Sequence, residues 1–339
     1  LALLIILHEL GHYFAAKLVK IKVEEFGLGY PPRILTLFTA GGTQFSLNWL
    51  PFGGFCRLSG ETDPNIPGGF MTASPWKRIF VLAAGATMNL LAAIALYTII
   101  VSMIGVSQVD QVEIKEVMSN SPAALAGMQA GDLIVTFDQA SIDSMDALSK
   151  AVAENLDKES TLVLQRGDET LTVNLVPRGN PPEGQGAMGI VMGNPVKPVG
   201  LLQAFPSGIR ATFEHAKALF AFIGQLFRGE ANTDQARLVG FKGMYDIYSE
   251  TRSEPIAGVP SIANALAFFT SITISLGLLN LVPLPALDGG RILFILPEIL
   301  FKKRIPPQYE NMVNLVGFGL LLLLMIYINL QDFINPIIP

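Results

Sequence analysis

His8-Glu9-Leu10-Gly11-His12 is an HExxH motif, and it lies inside the apolar segment 1–19. On a helix, His8 and His12 are four residues apart and therefore share one face. Two imidazoles at this spacing can bind one zinc ion, and Glu9 can act on a zinc-bound water molecule. The chain has three histidines, and two of them are in this motif. Because ionisable groups at membrane depth are costly and usually functional, we expect a metal site here.

The composition indicates a membrane protein. Of the 339 residues, 50% are hydrophobic and 15% are charged, and the mean hydropathy is +0.46. Three long runs contain no Asp, Glu, Lys or Arg, and about 20 residues of helix suffice to cross a hydrocarbon core. The sequence therefore predicts four transmembrane helices, at about 1–19, 79–104, 260–287 and 311–331. No basic segment precedes Leu1, so we expect a first span truncated at its start rather than a signal peptide.

The distribution of basic residues predicts the orientation of the chain. The loop between the first two spans and the loop between the last two are rich in lysine and arginine, and the positive-inside rule places both in the cytoplasm. These residues are Lys17, Lys20, Lys22, Arg33, Arg57, Lys77 and Arg78, and then Arg291, Lys302, Lys303 and Arg304. The long segment 105–258 is then extracytoplasmic, on the outer side of an inner or plasma membrane, because long loops cross largely regardless of charge.

Net charge and cysteine content bear on two further classes of protein. The net charge of −5 gives no indication of nucleic-acid binding. The single cysteine, Cys56, excludes an internal disulfide framework, and we interpret it as a packing residue.

A zinc ion held by HExxH needs at least one more protein ligand and an open position. The best candidate is Asp288, which ends the segment Asn280-Leu-Val-Pro-Leu-Pro-Ala-Leu-Asp288 and precedes two glycines. Pro283 and Pro285 free backbone groups that protein or water must satisfy. Taken alone, Asp288 is equally suited to capping the next helix. An alternative third ligand is a glutamate downstream of the motif, Glu24 or Glu25, although neither lies in a helical ligand motif.

With these residues the sequence resembles the site-2 protease family of intramembrane zinc metalloproteases (M50-like), in its bacterial four-span form with a PDZ domain. The matching elements are HELGH at 8–12, Gly85-Ala-Thr-Met-Asn89 and NLVPLPALDGG at 280–290. The resemblance implies one Zn²⁺ per chain held by His8, His12 and Asp288, with Glu9 as general base and acid. It also implies substrate-binding or supporting roles for Asn280, Pro283, Pro285 and Asn89, with Asn280 contacting the substrate or the developing oxyanion.

Three features depart from the family pattern. Ala86 and Thr87 stand where Gly-Pro is common, and Arg291 stands where many relatives have histidine. The chain also has room for one PDZ domain, whereas some relatives have two. The last difference bears on substrate gating more than on the chemistry.

Residues 23–60 predict a membrane-associated β-hairpin region within a first catalytic half, 1–104. Gln44-Phe-Ser-Leu-Asn-Trp49 alternates as a strand does, and Ala40-Gly-Gly-Thr43 is a turn signal. We expect an edge strand here to pair with an unwound substrate segment. A packing loop is the alternative.

Residues 108–178 predict an inserted extracytoplasmic α+β domain. Short alternating strands surround a helix at 144–154, and residues 121–132 resemble the loop and short helix of bacterial PDZ domains. A PDZ domain here is expected to contact substrate C-termini or, as we favour, to exclude bulky substrates.

Residues 179–258 predict a linker followed by an amphipathic helix, and 259–339 predict the second catalytic half. The linker is the Pro/Gly-rich segment 177–198. Apolar residues at helical spacing over 205–227 predict a helix that lies on the outer membrane surface or packs on the PDZ domain. We expect His215 to be a surface residue and not a zinc ligand. No function is assigned to 229–252.

The sequence thus predicts a polytopic α-helical membrane protein with an inserted PDZ domain. The expected activity is zinc-dependent cleavage within the bilayer of single-span membrane proteins already shortened on their outer side. The resemblance suggests anti-sigma factors or remnant signal peptides as substrates. The alternatives are a non-catalytic membrane PDZ scaffold or chaperone, and a membrane metalloprotease with another third ligand.

Overall fold

The computed structural model describes residues 2–230, 238–253 and 260–336. The chain divides into a helical unit, Leu1–Met103 with Leu201–Pro339, and an α+β unit, Ile104–Gly200. Among the described residues the helices are α1 (Ala2–Leu18), α2 (Pro75–Ile104), α3 (Pro122–Leu125), α4 (Met145–Glu154), α5 (Leu201–Arg228), α6 (Phe241–Ser253), α7 (Ser261–Leu281), α8 (Asp288–Phe301) and α9 (Pro307–Ile334). The strands are β1 (Val23–Ala40), β2 (Thr43–Leu58), β3 (Val106–Ser107), β4 (Val112–Val117), β5 (Leu133–Phe137), β6 (Ala140–Ser141), β7 (Ser160–Arg166), β8 (Glu169–Leu175), β9 (Ile190–Gly193) and β10 (Val196–Lys197).

Three helices, α2, α7 and α9, are long and apolar enough to cross a membrane. Leucines of α9 are largely exposed, for example Leu315 at 72% and Leu323 at 64%, as expected for a helix that faces lipid. The described part of α1 has 17 residues, somewhat fewer than the roughly 20 that a span needs. The first of the four spans therefore stays a prediction.

The third predicted span, 260–287, is too long, because α7 ends at Leu281. Val282 adopts extended backbone, and Pro283 and Pro285 cannot continue the helical hydrogen bonding. The chain turns through Ala286, whose φ is +70°, and α8 begins at Asp288. The sequence predicted a loop between the last two spans, whereas residues 288–301 form α8, whose charged residues interrupt its apolar pattern.

The helical unit has two buried clusters. One joins α1, β1, β2, α2 and α8 through Ala15, Ala16, Ile21, Val23, Leu58, Phe70, Val81, Leu82 and Ile295. The other centres on Ala93 of α2 with Ile274 and Leu278 of α7, and Ala216 and Leu219 of α5 pack against it. These clusters pack α1, α2, α7 and α8 together, and His8 and His12 of α1 are buried among these helices.

Strands β1 and β2 are antiparallel overall, but each bends back so that the sheet has four segments. Residues 25–28 pair with 44–47 on one side and with 54–57 on the other, and residues 33–40 pair with 43–48. Residues 53–58 therefore form one outer segment of the sheet, here called the edge segment. Within the described residues no further strand pairs with its outer side. The predicted β-hairpin region thus contains a free strand edge.

The α+β unit is built on a sheet with strand order β8-β7-β5-β4-β9, with β6 paired to β5. Ser121 and Ser144 cap α3 and α4 by accepting backbone hydrogen bonds from Ala124 and Ala147. The core contains Val112, Ile114, Ile134, Phe137, Leu148, Leu162 and Leu164. These elements agree with the strands and helix expected from the sequence.

The boundary of this unit differs from the prediction, which ended the domain at residue 178 and assigned 177–198 to a linker. Residues 190–193 form β9, which pairs with β4, and β10 pairs with β3. Strands this short give too little alternation to be recognised among glycines and prolines.

Helix α5 packs on the membrane helices, and this corrects the expectation for His215. His215 is half-buried, with its Nδ1 2.6 Å from the Tyr97 hydroxyl of α2, and Gly208 faces Thr98 of the same helix. Sequence periodicity identified the helix but not its packed face, because three of its predicted apolar positions, Phe205, Phe213 and Phe220, are exposed.

Candidate active site

Three possible metal ligands, His8, His12 and Asp288, meet between α1 and the start of α8. Nε2 of His8 lies 3.1 Å from Nε2 of His12 and 3.1 Å from Oδ2 of Asp288. Nε2 of His12 lies 3.3 Å from the same carboxylate oxygen. Both histidines are buried, and the Asp288 side chain is 14% exposed. The helical spacing of the motif and the bend after α7 produce this triangle together.

This triangle has the dimensions of a zinc site. Ligand atoms about 2.0–2.1 Å from a tetrahedral zinc ion lie about 3.3 Å from one another. Two neutral imidazoles and one carboxylate are also a donor set of catalytic zinc sites, which keep a fourth position open for water or substrate. The residues present therefore fit a zinc ion.

Two hydrogen bonds orient the imidazoles. Nδ1 of His12 donates to the Val81 carbonyl oxygen at 2.8 Å, so its Nε2 presents a lone pair to the metal position. Nδ1 of His8 lies 3.3 Å from the Asn89 amide nitrogen, and the Asn89 oxygen is buried without a partner among the described residues. When Nε2 of His8 holds a metal, Nδ1 carries the ring proton, and that oxygen is the group suited to accept it.

Glycines of α1 and α2 bring the helices into close contact at the site. A Cβ on Gly85 would lie 2.5 Å from Nε2 of His12 and 2.6 Å from Nε2 of His8. A Cβ on Gly11 would lie 2.3 Å from the Ala84 carbonyl oxygen. The role of Gly85 was not predicted from the sequence, where only its lack of a side chain could have indicated it.

Glu9 lies on α1 beside the edge segment of the sheet. An ideal Cβ on Gly54 would be 3.7 Å from Cγ of Glu9, so the strand backbone passes next to the carboxylate-bearing side chain. Glu9 is half-buried. The predicted base and the predicted substrate-pairing strand are therefore neighbours.

The remaining predicted site residues lie at different distances from the triangle. The Asn280 amide nitrogen is 3.5 Å from Nε2 of His8, so this residue reaches the site. Pro283 is exposed, and Pro285 faces Gly317 of α9. The two prolines therefore act on the path of the chain into α8, and the structure does not place Pro285 against the ligands.

The glutamates considered as alternative ligands have other environments. Glu25 is buried and accepts hydrogen bonds from Arg33 and Ser46, and it forms an ion pair with Arg57. Glu24 is exposed. Among the described residues His8, His12 and Asp288 form the one group of three that could hold a metal. Cys56 is partly buried against the core, and burial raises the pKa of its thiol, as expected for a packing residue.

Comparison with known proteins agrees with this site. The sequence model described as Peptidase family M50 matches residues 1–324. A Clostridium perfringens protein named among the zinc metalloproteases is 34% identical over 99% of this chain and 96% of its own length. The zinc metalloprotease RasP of Oceanobacillus iheyensis is 27% identical over 97% of this chain and 96% of its own length.

One solved structure matches part of the chain. It is the PDZ domain of an SdrC-like protein from Listeria monocytogenes, 21% identical, covering 24% of this chain and 87% of the solved chain with a TM-score of 0.22.

Apolar helices around a buried His, His and Asp triangle define a membrane-embedded zinc metalloprotease. The chain belongs to peptidase family M50.

Proposed function

We propose that this protein is an intramembrane endopeptidase that cleaves the transmembrane segments of single-span membrane proteins. The observation that supports this best is the triangle of His8, His12 and Asp288, which packs against α2 within the unit that contains the three apolar helices. Gly85 of α2, a helix long and apolar enough to cross a membrane, lies against both histidines, so a peptide bond at the metal position would lie beside this helix.

The residues divide the chemistry between them. When bound, zinc lowers the pKa of water and polarises the scissile carbonyl. Glu9 accepts the proton of the attacking water and returns it to the leaving amine nitrogen. Asn280, close to His8, donates to the negative charge that develops on the carbonyl oxygen. Asn89 holds the His8 ring in the ligating orientation.

The edge segment presents the substrate in extended form. A helical substrate shields its amides by internal hydrogen bonding, so cleavage needs local unwinding. An unpaired strand edge supplies replacement hydrogen bonds to the unwound peptide. Because Gly54 of this segment lies next to Glu9, a peptide paired there runs past the general base.

The α+β unit acts as a PDZ domain on the extracytoplasmic side, and the loops bearing the basic clusters are cytoplasmic. This domain excludes proteins with bulky outer portions, so that substrates reach the site after earlier trimming. Anti-sigma factors and remnant signal peptides, the substrates that the family resemblance suggests, have this form.

The test is reconstitution of the zinc-loaded protein in vesicles with a single-span substrate, offered with and without a folded outer domain. Cleavage inside the span of the shortened form, with little cleavage of the intact form, is expected. Equal cleavage of both forms would contradict the exclusion role. Cleavage only outside the span would contradict intramembrane proteolysis.

A further inference from the structure

A partly buried ion pair next to the active site, between Glu61 and Arg291, has no part in the chemistry just described. Arg291 lies one turn after Asp288 on α8, and its Nη1 is 2.6 Å from Oε1 of Glu61. The two side chains are only 21% and 27% exposed, so the pair is partly shielded from solvent. A shielded charge-assisted hydrogen bond of this kind restrains the two segments that it joins.

Glu61 also reaches the edge segment. Its second oxygen accepts a hydrogen bond from the backbone N–H of Leu58 at 3.3 Å, and Leu58 is the last residue of that segment. One carboxylate therefore connects the end of the edge segment to the helix that begins with the third predicted ligand.

The guanidinium of Arg291 also packs over Phe70, with Cζ 5.3 Å from the ring centroid. Phe70 is buried, and its N–H donates to the Ser59 carbonyl oxygen at 2.7 Å. This hydrogen bond joins the two ends of the loop that follows β2. Arg291 contacts that loop twice, at Glu61 and at Phe70. A lysine could keep the charge but not this planar contact together with the hydrogen bond.

Glu61 consequently holds the edge segment at its last residue, Leu58, and the same segment lies beside Glu9 at Gly54. In a β pairing, a slip of one residue turns every side chain to the other face, whereas a slip of two preserves the face. The position of the edge segment along its own direction therefore selects the peptide bond that meets the metal position.

We propose that Glu61 and Arg291 are a positioning pair that holds the edge segment in register with Asp288 and so determines which substrate bond is cleaved. This inference rests on the proposed function, in which the substrate pairs with the edge segment. The pair acts through the strand and α8, and it does not touch the reacting atoms.

The test compares Arg291→Gln, Glu61→Gln and the double variant with wild type, using one single-span substrate and mass analysis of the products. Lys303→Gln is the matched control, because Lys303 is an exposed cation just beyond the same helix. We expect unchanged zinc per chain, a fall in kcat of roughly tenfold to a hundredfold with little change in KM, and a new product cut two residues from the main bond. The double variant should be no worse than the singles, and Arg291→Lys should recover part of the rate.

Two results would overturn the positioning role. One is wild-type kcat and a single product in zinc-loaded Glu61→Gln and Arg291→Gln. The other is loss of zinc in both, since the pair would then maintain the metal site itself. If Arg291→Gln does not fold, Glu61→Gln decides alone. Absence of Glu9-dependent cleavage by wild type would instead refute the proposed function, and the positioning role with it.

Discussion

Gly85 of α2 lies so close to His12 of α1 that an added Cβ would be 2.5 Å from the Nε2 atom. The neighbouring atoms at this position belong to the two predicted histidine ligands, so no flexible chain end can move aside. The backbone of α2 therefore forms one wall of the metal position.

Substituting Gly85 with alanine should abolish metal binding. The new methyl group must displace either an imidazole or α2, and both movements break the ligand triangle. We expect zinc per chain to fall below about a tenth of wild type, measured by elemental analysis of purified protein. Gly319→Ala is the control, because nothing lies within 4 Å of a Cβ there and alanine favours the helix. Normal zinc content in Gly85→Ala would refute the close approach.

Asn89 should control zinc affinity without being a ligand. Its amide is buried beside Nδ1 of His8, where an oxygen acceptor fixes the ring when Nε2 binds a metal. Asn89→Ala should weaken zinc binding by about 10–100-fold, as loss of an outer hydrogen bond generally does. Competition with a chelator of known affinity measures the change, and an unaltered affinity would show that His8 needs no such support.

Much of this site could be predicted from the sequence, because HExxH and the segment around Asp288 carry local signals. Residue types and spacing predicted His8, Glu9 and His12, and the position of Asp288 together with the family resemblance predicted the third ligand. The Val81 carbonyl could not be predicted, since every residue has one and only the packing of α2 on α1 selects it. Likewise Glu61 and Arg291 are 230 positions apart, and no periodicity links them.

The fold was predictable to a similar degree. Long apolar runs gave α2, α7 and α9, and alternation gave β4, β5, β7 and β8. Helix α8 was missed because its charged first turn interrupts the apolar pattern, and β9 was missed because a four-residue strand has too little pattern. The packed face of α5 was not evident, since in a membrane protein apolar residues face both lipid and neighbouring helices.

Asp132 should make the stability of the α+β unit depend on pH. The Arg166 guanidinium, which donates hydrogen bonds of 2.7 and 2.8 Å to this buried carboxylate, lowers the pKa of Asp132 below its ordinary value. A lowered folded pKa contributes stability above the unfolded pKa of about 3.9, and that contribution is lost as pH falls through the folded value. Hydrogen exchange of β5 and β7 in the full chain should therefore show protection decreasing below about pH 4.

Asp132→Asn should have lower protection at pH 7 and a flatter dependence on pH. Asp168→Asn, an exposed change in the adjacent turn, should behave as wild type. A dependence in Asp132→Asn as steep as in wild type would assign the effect to other carboxyl groups.

Glu25 should hold the segments of the β1–β2 sheet together. Its buried carboxylate bonds Arg33, Arg57 and Ser46, which lie on three different segments of the sheet. Glu25→Gln leaves two partly exposed arginines without a counter-charge, so we expect faster hydrogen exchange over 23–30 and 53–58 and slower substrate cleavage. Zinc content should be unchanged, because the ligands lie on α1 and α8. Loss of zinc in Glu25→Gln, with Glu24→Gln normal, would revive Glu25 as a ligand.

The most direct test of the account is to measure bound zinc and cleavage of a shortened single-span substrate for wild type and Glu9→Gln. One zinc per chain in both proteins, with cleavage only in wild type, is the predicted result. Folded wild-type protein without zinc, or a Glu9→Gln variant that cleaves at the wild-type rate, would contradict it.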